Sequence, residues 1–227
     1  MWAVPLVMDA LVEISPEAAD WAAPYGDDVE RAWRDCPQGT WLLALAVKVD
    51  VGSVGELIGA AADCVRLTFE RIPKAAEALE TSLTQLESCA RGDLPIASLE
   101  PQQEWGLGWL KADRELPRLV FRAMLMVREA LVTADSSRLH EVPMCISDAM
   151  VTLAAREQTD ELHRELEQSP LASLGGPPVA AAPFVDAAGP DALTLSPMIH
   201  APLYHEWQRR CAEAVRKRII WSHAMRS

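Results

Sequence analysis

Two apolar stripes at helical spacing, set around a three-residue break, constrain this chain more than any other feature. Trp41, Leu42, Leu45, Ala46 and Val49 recur at intervals that an α-helix places on one face. Asp50-Val51-Gly52 interrupts the pattern. Ser53 and Glu56 then have the spacing of a capping box, in which each side chain bonds the other residue's backbone N–H. Leu57, Ile58, Ala61, Cys64, Val65, Thr68, Phe69 and Ile72 form the next stripe, and Pro73 predicts that this helix ends or bends near Ile72. The alanines at 60, 61 and 62 admit a close helical neighbour, and Arg66 and Glu70 have the spacing of an i,i+4 ion pair. Residues 33–72 are therefore expected to form a helical hairpin at the centre of an all-α domain.

The rest of the chain extends this pattern. Residues 1–14 fit either a short strand or a short helix. Ser15-Pro16-Glu17 reads as an N-cap followed by Pro at the first helical position, and Pro24-Tyr25-Gly26 stops that helix. Asp27-Asp28 opens another short helix that carries Trp33 and ends near Cys36-Pro37. Residues 74–91 are expected to place Ala75, Ala78, Leu79, Leu83, Leu86, Cys89 and Ala90 inward, with Gly92 just past the end. Residues 102–134 read as helical with interruptions at Gly106, Gly108 and Pro117. Their last part, RLVFRAMLMVREALV, is expected to be a central buried helix. A helix over 142–167 turns polar after Ala155 and is expected to project into solvent.

Residues 169–197 hold six prolines and three glycines, which cannot sustain a helix and predict a long mobile arm. A final helix over 203–225 has Tyr204, Trp207, Cys211, Val215, Ile219 and Trp221 on one stripe. It is expected to dock on the body, its own or that of a second copy in a swapped homodimer. The expected organisation is one multi-helix domain over 1–227. It comprises an acidic extension (1–35), a helical core (36–168), the arm (169–197) and the docked last helix (203–225). About seven to nine helices are expected, with no sheet beyond an N-terminal strand.

Charge narrows the function classes. The formal net charge is −12, against the excess of Lys and Arg that phosphate binding needs, so no nucleic-acid partner is expected. The basic residues Arg209, Arg210, Arg216, Lys217, Arg218 and Arg226 concentrate in the last helix, which reads as a basic helix docked on an acidic body. The opening MWAVPLVMDALVEI has no basic start and carries Asp9 and Glu13, unlike a signal peptide. No apolar run has the length of a membrane span, so no membrane insertion is expected. Five cysteines at wide spacings, with no CxxC pair, point away from a disulfide framework or zinc site and towards a reducing cytoplasm.

The catalytic motifs are missing. There is no GxSxG, P-loop, GxGxxG or HExxH. The five histidines lack the Glu-x-x-His spacing of di-iron bundles, so neither a metal nor a cofactor is expected. Cys64 lies near Arg66, which would activate a thiol, but it falls on the apolar face and reads as a buried structural cysteine. The eight tryptophans read as wedges between helices rather than as a ligand-stacking pocket.

One resemblance adds a function. The segments AWRDCPQGTWLLALA, LIGAAADCVRLTFERIP and AAEALETSLTQLESCARGD resemble the helical immunity proteins of bacterial polymorphic-toxin systems. The matching positions are Trp33, Cys36, Pro37, Trp41, Leu42, Asp63, Cys64 and Arg66, with Cys211, Ala212, Glu213, Val215 and Arg216 in the last helix. The resemblance covers residues 33–93 and the last helix. The acidic extension and the 169–197 insert depart from it. It implies a non-enzymatic cytoplasmic protein that binds and blocks a cognate partner protein, a toxin or secreted hydrolase such as a nuclease or protease. An acidic face would suit a basic active-site cleft, and Asp20, Asp27, Asp28 and Glu30 are the expected partner-binding residues. The alternative is a helical scaffold or regulatory interaction module without an inhibitory role.

Overall fold

Helix α4 (Gly39–Lys48) runs through the middle of the molecule, and every residue from Gly39 to Ala46 is buried. The computed structural model describes residues 6–99, 118–168 and 197–221. The expected interruptions at Gly106, Gly108 and Pro117, and the arm over 169–197 except for its last residue Pro197, lie outside them. The described residues form nine α-helices and no strand, as the helical periodicity predicts. The open choice at the start of the chain falls to a helix, α1 (Leu6–Leu11). It is followed by α2 (Pro16–Ala22) and α3 (Val29–Asp35), which frame the N-terminal end of α4.

Local chemistry sets these boundaries. The Ser15 hydroxyl accepts from the Ala18 N–H at 3.1 Å, so α2 starts where the Ser-Pro signal placed it. The Asp28 carboxylate caps α3 through the Arg31 N–H at 3.1 Å. The capping box of α5 (Val54–Arg66) is complete: the Glu56 N–H donates to the Ser53 hydroxyl at 3.2 Å, and the Ser53 N–H donates to the Glu56 carboxylate at 2.7 Å. Gly52, at φ 88°, makes the turn into that helix, a backbone region that glycine enters without cost. Gly92, at φ 81°, ends α6 (Pro73–Ala90) as anticipated.

Three details differ from the sequence expectation. Helix α5 stops at Arg66, not near Ile72. The Thr68 and Phe69 N–H groups turn back to the carbonyls of Val65 and Arg66, three residues earlier, and the Thr68 hydroxyl also donates to Val65. These tight local bonds compete with the helical ladder. With the helix ended, Glu70 is no longer one turn beyond Arg66, so the expected pair is not made; Glu70 lies 3.8 Å from Arg210 instead. The last helix, α9 (Pro197–Arg218), begins six residues before the predicted start, contains Pro202, and ends at Arg218 rather than at 225. Pro197 suits a first helical turn, where a missing N–H costs nothing.

Helix α7 (Arg118–Thr133) buries Val120, Ala123, Met124, Met126, Val127, Ala130 and Leu131, and it packs on α5, α6 and α8 (Glu141–Gln168). It shares the interior with α4, for which the sequence predicts a hairpin with α5; α4 packs chiefly on α9 instead. Helix α8 is buried in its first half and exposed from Arg156 to Glu165, which fits the expected polar extension. Helix α9 packs against α8, α5 and α4. It buries Trp207, Cys211, Ala212 and Val215, and Ile219 is buried just past its end. Its guanidiniums meet the acidic body: Arg218 bonds Glu87 and lies 3.7 Å from Asp63.

Candidate functional site

The join between α3 and α4 is built by α9 from the far end of the chain. Gln208 is fully buried, and its side-chain oxygen accepts from the Thr40 N–H at 3.1 Å, capping α4 where Gln38 makes no side-chain cap. Arg216 Nε donates to the Trp33 carbonyl at 3.0 Å, and its Nη2 donates to the Cys36 carbonyl. One helix thus satisfies exposed backbone groups at the end of α3 and the start of α4. A Cβ on Gly39 would sit 2.5 Å from the Cys211 Cβ, so only glycine allows α4 and α9 this approach. The Cys64 thiol donates to the Cys211 carbonyl at 3.8 Å.

A groove of about 930 Å³ opens on this join. Three elements line it. Glu17, Asp20 and Trp21 of α2 stand at i, i+3 and i+4, hence on one face. Pro202, His205, Glu206 and Arg209 form the matching stripe of α9. Between them lie Pro37, Gln38 and Trp41. Trp21 is the hinge of an aromatic cluster, with its ring centroid 4.6 Å from Tyr25 and 5.5 Å from Trp41, tilted in both cases. Trp41 is buried, so it forms the wall, while half-buried Trp21 is the part a visitor would touch. The rim is acidic: Glu17, Asp20 and Glu206 are exposed, and the Arg209 guanidinium is engaged by Glu213 at 2.7 Å.

The residues expected at a partner surface are all exposed, but they occupy different positions. Asp20 lies on the groove rim. Asp27 accepts from the Leu6 N–H at 2.8 Å and so holds the start of α1. Asp28 caps α3. Glu30 sits in the first turn of α3. Sequence reasoning missed Glu17, Trp21, Glu206 and Arg209 as groove residues. The i, i+3, i+4, i+7 spacing from Pro202 to Arg209 was visible, but the apolar stripe on the other side of the same helix dominated the pattern.

A second cluster lies on α5, α6 and α9. Arg66 donates to Asp63 and to both Glu80 and Glu87 at 2.8 Å, and Arg218 shares Glu87. Burial opposes the charge on Arg66, but bonds from Glu87 and Glu80 outweigh it and hold its pKa above the ordinary value. The Arg66 bond holds the Glu80 carboxyl below its ordinary range. Each carboxylate here faces a guanidinium, so the cluster is a lock between helices.

All five cysteines are free and buried. Burial pushes the Cys36 thiol up to about 12 and the Cys145 thiol up to about 11. A bond to Cys211 and then burial raise Cys64. These thiols are held neutral, the opposite of an activated nucleophile. Among the described residues, no group of three or more His, Cys, Asp or Glu is placed to hold a metal ion, and no helix is long and apolar enough to cross a membrane. No family model, curated protein or solved structure matches the chain.

Proposed function

We propose that this chain is a non-enzymatic inhibitor of the immunity-protein type, which binds and blocks a cognate partner protein in the cytoplasm of the producing bacterium. The groove between α2 and α9 carries this reading: an aromatic wall and an acidic rim on a body of net charge −12. Aromatic residues in a recess bounded by polar groups have the composition of an interface anchor. The negative rim would steer a basic cleft, such as that of a nuclease toxin, into contact. A secreted protease held inactive before export is the other partner class that the resemblance implies. The segments that carry that resemblance meet in the structure, since Arg216 bonds the Trp33 and Cys36 carbonyls and Cys64 bonds the Cys211 carbonyl.

The test is co-expression with the product of the adjacent gene. The expected result is rescue of growth and a complex that co-purifies. Failure of both overturns the proposal. The exposed second half of α8, Arg156 to Glu165, favours a second reading as a helical scaffold. A co-purifying complex without growth rescue would select that reading.

A further inference from the structure

Resting on the partner-binding reading, we infer that the Trp21–Trp41 groove is a pocket for a cationic side chain, an Arg or Lys presented by the partner protein. The chemistry of the recess selects that occupant. Its wall is indole, whose negative π-face attracts guanidinium and ammonium ions. Trp21 supplies an accessible ring, held by Tyr25 at 4.6 Å and Trp41 at 5.5 Å. Three carboxylates, Glu17, Asp20 and Glu206, stand around the opening. The opposing cation, Arg209, is tied to Glu213 at 2.7 Å. An anionic visitor would meet three like charges.

Arg is the better fit of the two. A planar guanidinium can lie on an indole while its edge donates to a carboxylate, whereas an ammonium is a compact, strongly hydrated point charge. The molecule already makes such a stack elsewhere, where the Arg210 guanidinium lies 4.2 Å from the Trp207 ring centroid.

The experiment titrates the full chain with hexaarginine, its neutral isostere hexacitrulline, and hexaglutamate. Indole N–H signals are followed by NMR and affinity by calorimetry. Hexaarginine is expected to shift the Trp21 and Trp41 signals, with no matching shift from the other two peptides. The triple variant Glu17→Gln, Asp20→Asn, Glu206→Gln should weaken binding about tenfold, since exposed charge pairs contribute little singly but add. Arg209→Ala should tighten it. Trp21→Ala should abolish the Trp41 shift; should that variant fold poorly, the triple rim variant, at exposed positions, carries the test.

Unchanged hexaarginine affinity in the rim variant would mean diffuse attraction to an acidic surface and would overturn the inference. So would preferential binding of hexaglutamate. Failure of this inference is separable from failure of the function. A cognate partner that co-purifies equally with the wild type and the triple variant sinks the pocket and leaves inhibition standing. Hexaarginine binding as described, with neither growth rescue nor a complex, sinks inhibition and leaves the pocket standing.

Discussion

The buried carboxamide of Gln208 caps helix α4 through the backbone N–H of Thr40, 168 residues earlier in the chain. The start of a central helix is therefore completed by the last helix. The same last helix forms one wall of the groove, so the groove's shape and the stability of the fold are coupled.

Replacing Gln208 by Leu should destabilise the protein by about 1–3 kcal/mol, the cost of leaving a buried N–H without a partner. The exposed neighbour Arg209→Ala should change stability by less than about 0.5 kcal/mol. Urea unfolding of both variants checks the contrast. Equal effects would show that the cap contributes nothing.

Two glycines face α9 and its end, and they should respond differently to a methyl group. At Gly39 the obstacle is the Cys211 Cβ and adjoining backbone, which are fixed. Gly39→Ala should cost about 1–3 kcal/mol as an overpacked contact. At Gly59 the added Cβ would meet the Arg218 guanidinium, the far end of a flexible side chain. Gly59→Ala should displace Arg218 from Glu87 and cost less. Thermal melts that rank Gly59→Ala as the worse variant would contradict this account.

Stability should fall on the acid side. The Arg66 bond depresses Glu80, and the Arg138 bond depresses Glu141, both from an ordinary value of 4.5. A depressed carboxyl stabilises the fold fully above that value. As pH falls through it, the unfolded chain takes up protons first, and the contribution is lost by the time the folded group titrates. Burial raises Asp148, which has the opposite sign: its cost is present at neutral pH and is relieved as it protonates. Glu80→Gln should therefore flatten the acid limb of a stability profile, and Asp148→Asn should raise stability at neutral pH. A Glu80→Gln profile parallel to the wild type would refute the assignment.

The thiols should be inert in the folded state. With all five cysteines buried and Cys36 pushed up to about 12, a disulfide reagent at neutral pH should react slowly with native protein and give five equivalents after unfolding. A fast-reacting thiol in the native protein would contradict the packing of at least one of these sites.

Much of the fold was legible because its signals are local. Ser15, Asp28 and the Ser53–Glu56 box act within three residues of themselves, so their spacing alone locates the starts of α2, α3 and α5. Gly92 works in the same way at the end of α6. The end of α5 was misread because the apolar stripe continues to Ile72, while the Thr68 turn that breaks the helix follows a weaker cue.

The sequence by itself determined the all-α class, most helix starts, and the inward face of the last helix, since periodicity and capping are properties of neighbours along the chain. Only the tertiary structure decided the rest. The preference of Arg66 for Glu80 and Glu87 over Glu70 depends on α6 lying beside α5. The Gln208 cap, the Arg216 bonds and the Glu17–Asp20–Glu206 rim join residues more than 150 positions apart. Which faces meet across such distances depends on the packing of the whole core, and no spacing rule along the chain encodes it.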